Sequence, residues 1–315
     1  TLTKNVKWPN QATMVPLEVF STPAMLVAGG FLVPHKTPGR IILRLIESGQ
    51  EIQVSTDKDG FFYHEATWVD MNGDGKLDIL TARAAKPVLG KTRAEMVWLQ
   101  QPGDPMKGPW KEHVLFDGPG GFFVYADWTR GGAAQPQILA AEFFENQELA
   151  LYFCDAGWSL CNEKSSQRVV VDDSLGPYFD LQKVDINGDG RDDLLATNNR
   201  NDGKGAVMAY EVPLQLNGTW TRHILAKGYQ PQGLVPFLPG KGAPGSSRAF
   251  QPHTNATGKP WIMVSGDDSG LVQILRPKSD SPTDWEYHVD TIMKGKGTIG
   301  RIAVADVDGD GAAEF

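Results

Sequence analysis

The chain is poor in the residues that usually announce chemistry. It has two cysteines and six histidines among 315 residues. Cys154 and Cys161 stand in CDAGWSLC, a spacing that excludes a CxxC redox or zinc site. GxSxG and HExxH are absent, so neither a nucleophile elbow nor a zincin helix is encoded. No apolar run reaches the roughly 18 residues that a membrane-spanning helix needs. The nearest candidate, residues 19–34, is broken by Pro23, Gly29 and Gly30 and reads as two strands. Long basic runs are missing and the net charge is −8, which argues against nucleic acid as a partner. Capped helical periodicity is missing too.

Turn formers and apolar residues are abundant instead. There are 35 Gly and 21 Pro, which implies many turns and many short strands. At 41% hydrophobic and 22% charged, the chain can build a sizeable core. Its length suits two ordinary domains or one large all-β domain. It begins at Thr1 without Met, so any signal peptide is expected to have been removed or left out already. Six residues lie between Cys154 and Cys161, with Gly157 able to turn the chain. We expect a local disulfide closing a hairpin, two buried thiols being the alternative. Two N-glycosylation sequons occur, NGT at Asn217 and NAT at Asn255.

An acidic loop recurs three times, as DMNGDGKLDIL from Asp70, DINGDGRDDLL from Asp185 and DVDGDGAAEF from Asp306. The intervals are close to twice a unit of about 57 residues, the size of a propeller blade. Worn copies fall between them, at Asp127 and near His253, and a first unit lies near Met14. A second motif, Trp-x-x-His-[Val/Ile], follows the loop positions at Trp110, Trp220 and Trp285. Each unit then reads as four strands: one before the loop, one after it, a third, and the Trp strand. The prediction is one all-β domain over residues 1–315, a β-propeller of four-stranded antiparallel blades. Six or seven blades are expected, seven favoured, the last one incomplete in this chain. NVKWPN near the N-terminus is assigned to the outer strand of that last blade.

The loops place oxygen at every second residue. The first offers Asp70, Asn72, Asp74, the carbonyl of Lys76, and Asp78. The second offers Asp185, Asn187, Asp189, the carbonyl of Arg191, and Asp193. The third offers Asp306, Asp308, Asp310, the carbonyl of Ala312, and Glu314. An all-oxygen set with several charges suits a hard cation of calcium size. An EF-hand needs Glu at the twelfth position between two helices, whereas here Thr81 and Ala196 stand there between strand-like runs. These loops resemble FG-GAP or VCBS repeats, the blade unit of the integrin α-subunit propeller. The resemblance implies a calcium-stabilised, usually extracellular β-propeller with three structural calcium sites. It implies no single activity, since relatives include adhesion receptors, fungal lectins and a module of a fungal sugar-converting lyase.

The remaining candidates are weaker. His113, His223 and His288 repeat within the Trp motif, which predicts a shared structural role, a ring nitrogen tied to neighbouring backbone. The alternative is a sugar site in each blade, with Trp110, Trp220 and Trp285 as stacking faces. His35 and His253 sit in Pro-rich loops and are the candidates for chemistry or a transition metal. Residues 238–255 form the longest loop, where Arg248, Phe250 and His253 are the tentative ligand contacts, and AAKPVLGKTRAE is a second long loop. The functional expectation is a secreted, lectin-like glycoprotein that binds carbohydrate or an extracellular partner. The alternatives are a sugar lyase or hydrolase working in a central funnel, and a structural matrix or wall protein.

Overall fold

Short apolar runs separated by Gly, Pro and Asp fold into meanders, because each run can bury its faces only against its neighbours. The computed structural model describes residues 3–31, 38–87, 89–129, 135–233 and 241–315. The first sheet is β1 (Pro9–Met14), β2 (Ala24–Gly29), β3 (Ile41–Leu45) and β4 (Glu51–Gln53). The second is β5 (Phe61–Val69), β6 (Asp78–Ala85), β7 (Arg93–Gln100) and β8 (Lys111–Asp117). The third is β9 (Phe123–Ala126), β10 (Gln137–Ala141), β11 (Leu149–Phe153) and β12 (Gln167–Asp172). The fourth is β13 (Tyr178–Val184), β14 (Asp193–Asn198), β15 (Gly205–Glu211) and β16 (Thr221–Tyr229). The fifth is β17 (Ser247–Phe250), β18 (Trp261–Ser265), β19 (Leu271–Pro277) and β20 (Tyr287–Lys294). Each sheet runs in sequence order, as propeller blades do, and neighbours pair antiparallel in the second, fourth and fifth.

The burial gradient explains the sequence pattern. β6 and β14 are buried at every position, so they read as continuous apolar or small-residue runs. The fourth strands β8, β16 and β20 carry most of the exposed positions. Trp110 and Trp220, each just before a fourth strand, are 2% and 6% exposed. Their indole N–H groups donate to the carbonyls of Pro105 and Leu216. These two tryptophans are packing residues rather than open stacking faces.

Contacts divide the chain into two compact units. The first holds Thr1–Phe123, Glu142–Asn146 and Tyr152–Arg168. Its core brings Ala24, Leu26 and Leu43 of the first sheet against Ile79, Leu99 and Trp110. The second holds Val124–Ala141, Gln147–Leu151 and Val169–Phe315. Its core includes Leu195 and Val207 of the fourth sheet and Ile262, Val264 and Leu275 of the fifth. Within each unit, first strands of successive sheets are latched through side chains. Gln11 Oε1 accepts from Ala66 N at 2.7 Å, and Gln182 Oε1 accepts from Ala249 N at 2.8 Å.

Several expectations need correction. The described residues form five four-stranded blades, not six or seven. The sixth unit contributes its loop and three isolated bridges, Asp267 with Ile299, His253 with Ala312, and Ala305 with Glu314. NVKWPN belongs to the first sheet rather than the last blade. Val6 packs with Val27 and Ile42, and Gly30 N donates to the carbonyls of Lys7 and Trp8. Among the described residues of 19–31, one strand forms rather than two. Leu17–Phe20 is one helical turn, α1, stopped by Ser21 in the left-handed conformation, and β2 follows. No helix among the described residues is long and apolar enough to cross a membrane.

Cys154 and Cys161 form a disulfide, as expected. It spans a 3-10 turn in the β11–β12 connection around Trp158, which is 1% exposed. Closing so short a loop restricts the unfolded chain by about 2–3 kcal/mol. A Cys154→Ser/Cys161→Ser variant should lose about that much stability in urea unfolding. The variant should also become insensitive to reductant; an unchanged midpoint would contradict the assignment of stabilisation to this bridge.

Candidate metal loops and polar clusters

The three acidic loops share one hydrogen-bond network. In the first, Asp70 Oδ1 accepts from Gly73 N at 2.8 Å and Asp70 Oδ2 from Gly75 N at 2.9 Å. In the second, Asp185 accepts from Gly188 N at 2.7 Å and Gly190 N at 2.8 Å. In the third, Asp306 accepts from Gly309 N at 2.7 Å and Gly311 N at 3.0 Å. Asp74, Asp189 and Asp310 then accept from the backbone of Lys76, Arg191 and Ala312 at 2.9, 2.9 and 2.7 Å. Both glycines of each loop have positive φ, between 74° and 88°, so a side chain at either would strain the turn. The need for glycine at both positions comes from this geometry.

The last acid of each loop closes it. Met71 N donates to Asp78, Ile186 N to Asp193 and Val307 N to Glu314, at 3.1, 3.1 and 2.6 Å. In the worn loop at Asp127 the same bond persists, Trp128 N to Gln137 Oε1 at 2.9 Å. There a neutral amide replaces the acid, and Asp127 makes a local turn with Thr129. The closing position therefore serves the fold first, and its charge is added where the other acids are present.

That charge is costly without a counter-ion. Asp78 is fully buried, and its pKa is pushed up to about 6 by burial and by the charges of Asp74 and Asp70. Asp193 is 3% exposed and pushed up to about 7 by burial, Asp189 and Asp185. Each oxygen of Asp78 accepts one backbone N–H, from Met71 and Gln101, which leaves further lone pairs. In the third loop, Asp306, Asp308 and Glu314 present oxygens all within 4.8 Å of one another. Among the described residues, this is the one cluster of three acidic, His or Cys side chains that meets such a limit. The donor set is all oxygen and crowded with like charge, which fits a hard divalent cation.

Successive loops of the second unit lie side by side. The Lys259 side chain packs beside Gly188, and its ammonium donates to the Asp284 carbonyl. Thr254 N donates to Gly311 O at 2.8 Å, and Ala313 N to Pro252 O at 3.1 Å. His253 thus sits in a backbone bridge with Ala312 beside the third loop. Arg248 is elsewhere, donating to Asp180 at 2.5 Å from the first strand of the fifth sheet. Phe250 meets Trp261 edge-on at 6.4 Å. Arg248 and Phe250 stand two residues apart on β17, and His253 follows just after it. His35 lies outside the described residues.

Two of the three repeated histidines bond to side chains. His113 stacks on Trp98 at 4.1 Å and meets Gln100 Oε1 at 3.1 Å. His223 stacks on Trp285 at 4.0 Å and meets Glu211 Oε1 at 2.7 Å. His288 is exposed on β20. Asn217 and Asn255, the sequon residues, are both exposed in turns.

Sequence reasoning missed two clusters. In the first unit, Phe62, His64, Phe122 and Phe144 form an aromatic box with centroids 5.2–5.6 Å apart. Trp8, half-exposed, stacks on Phe31 beside it. The signal was the run of paired aromatics in FFYH, GFF and EFF. In the second unit, Asp267 sits in a left-handed turn after β18, its Oδ2 accepting from Asn199 Nδ2 at 2.9 Å. Burial, with the charge of Asp268, pushes its pKa up to about 7.

The Asp267 shift has a defined sign. Between the ordinary value of 3.8 and about 7, the folded chain holds a proton that the unfolded chain has lost. This contribution to stability is complete below the ordinary value and is lost as pH rises through 7. Asp267→Asn keeps an acceptor for Asn199 and tolerates the left-handed backbone. Urea unfolding should show the variant more stable than the parent at pH 8, by up to about 4 kcal/mol, and equal to it near pH 4. The same difference at both pH values would refute the titration.

Two open clefts lie apart from these acids. One, about 490 Å3, is in the first unit beside Glu51, Thr56 and Asp57, whose acids are paired with Arg44 and Arg40. The other, about 540 Å3, is in the second unit between β16 and the β19–β20 hairpin. Neither is lined by Asp78, Asp193 or Asp267, the carboxylates with the largest upward shifts.

No family model matches the chain. No curated protein matches it either. Among solved structures it is similar to one described as the crystal structure of glucose dehydrogenase, with 10% sequence identity and a TM-score of 0.49. That match covers 92% of this chain and 88% of the other.

Proposed function

We propose that the chain is a calcium-stabilised β-propeller of the FG-GAP/VCBS type, a secreted binding module for carbohydrate or an extracellular partner. The observation that carries the metal assignment is the convergence of Asp306, Asp308 and Glu314 on a loop scaffold repeated at Asp70 and Asp185. Bound calcium would supply charge compensation to each loop, and the chain's own residues hold its oxygens by backbone N–H groups. The disulfide and the two exposed sequons favour an extracellular setting. Binding is preferred to catalysis because Asp78, Asp193 and Asp267, the carboxylates most strongly raised in pKa, line neither cleft. Metal analysis of protein purified with calcium should find about three ions per chain, one per oxygen-rich loop. Protein without calcium would refute the metal assignment. A glycan and matrix-protein array probed in calcium tests the binding role.

A further inference from the structure

We propose that the cleft between β16 and the β19–β20 hairpin binds a carboxylated sugar, its hydroxyls meeting Tyr229 and Gln273 and its carboxylate meeting Lys227 and Lys294. The inference deepens the binding-module reading and rests on it. The cleft, about 540 Å3, is of the size that holds one or two sugar rings. Tyr229 lines it and is 5% exposed, yet its hydroxyl has no hydrogen-bond partner. Burial pushes that phenol's pKa up, so it stays neutral and can both donate and accept. Gln273 also lines the cleft. Its Nε2 donates to Thr291 Oγ1 at 3.0 Å, while its Oε1 is buried without a partner. Unsatisfied buried polar atoms are costly, and two belonging to residues of one cleft mark a place where a ligand's hydroxyls repay the cost.

The rim is tied by hydrogen bonds and its charge has one sign. Gln232 Nε2 donates to the carbonyl of Ser269 at 2.5 Å, and Gln232 N donates to Asp268 O at 2.7 Å. Lys227 and Lys294 are exposed at the walls. No carboxylate lines the cleft, and among the described residues neither lysine makes an ion pair. On a chain of net charge −8, this local surplus of two cations selects for an anion. Among the described residues, no arginine and no helix N-terminus faces the cleft, the usual means of holding phosphate. Amide and phenol groups beside ammonium suit hydroxyls beside a carboxylate.

The test is calorimetric titration in calcium with a trimer of galacturonic acid and with the neutral trimer of galactose. The parent protein should bind the acidic trimer at least tenfold more tightly, and added salt should weaken it. Lys227→Ala/Lys294→Ala should lower that affinity tenfold or more with an unchanged melting temperature. Tyr229→Phe should lower it about fivefold without destabilising the fold. Equal binding of both trimers, or affinities unchanged in both variants, would overturn this site and leave the binding-module reading standing. Failure of both trimers, with no saccharide bound on the array, would remove both.

Discussion

Chelation of calcium is expected to lower the melting temperature by about 10 °C. The size follows from mass action. A loop whose dissociation constant is a hundredth of the free calcium concentration contributes about 2.7 kcal/mol to folding. Three such loops together give about 8 kcal/mol, and unfolding entropy near 2.1 cal/mol/K per residue converts that into roughly 10–15 °C for a chain of this length. The structural reason is the crowding of acids. Asp70, Asp74 and Asp78 share one turn, and Asp78 is fully buried within it. Without a cation the fold must either protonate Asp78 or bear the repulsion. Asp185→Ala should remove one third of the calcium response and one bound ion, because Asp185 also anchors Gly188 and Gly190. Differential scanning calorimetry with calcium, and then with excess chelator, checks this. Identical traces in the two conditions would sink the structural role of the metal.

Much of the architecture was legible because the repeat was legible. The loop, the apolar run after it and the Trp motif recur in order, and they fall on β5–β6–β8 and β13–β14–β16 as expected. The number of blades was not legible, since it depends on how many units form complete sheets. The sixth unit makes only isolated bridges among the described residues. Val19 misled for a local reason. The apolar run around it is cut by Ser21 in the left-handed conformation, so a helical turn took the place of a strand. The role of the repeated histidines was half legible. Their recurrence pointed to packing, but their partners are Trp98, Gln100, Trp285 and Glu211, which are close only after the sheets form. The orphaned atoms of Tyr229 and Gln273 could not be read at all, because an unmet hydrogen bond leaves no pattern in a sequence.

Arg83→Met should cost about 3–5 kcal/mol, the largest effect expected of a single substitution away from the loops. Arg83 is fully buried on β6. Its guanidinium reaches Glu95 Oε2 at 2.5 Å and Glu112 at 2.7 Å through two nitrogens, with the Tyr63 hydroxyl at 3.5 Å. Burial opposes its charge, but the hydrogen bond and charge of Glu112, with Tyr63 and the hydrogen bond of Glu95, more than offset this and hold its pKa above the usual value. Glu112 is correspondingly held below the usual range, against its own burial, by Arg83 and Thr56. Removing the arginine leaves Glu112 desolvated with Thr56 as its remaining short contact, while Glu95 keeps Lys58 at 3.0 Å. Arg83→Lys should recover only part of the loss, because an ammonium cannot fork two carboxylates at once. The triple variant Arg83→Met/Glu95→Gln/Glu112→Leu should recover more than the lysine does, since an uncharged set of similar volume needs no counter-charge. Urea unfolding of the three variants decides the matter. A loss below about 1 kcal/mol for Arg83→Met would mean that the pair is screened like a surface salt bridge, despite its burial. A large loss that the triple variant fails to recover would assign the stability to Arg83's packing against Phe61, whose ring centroid lies 5.0 Å away, rather than to the carboxylates.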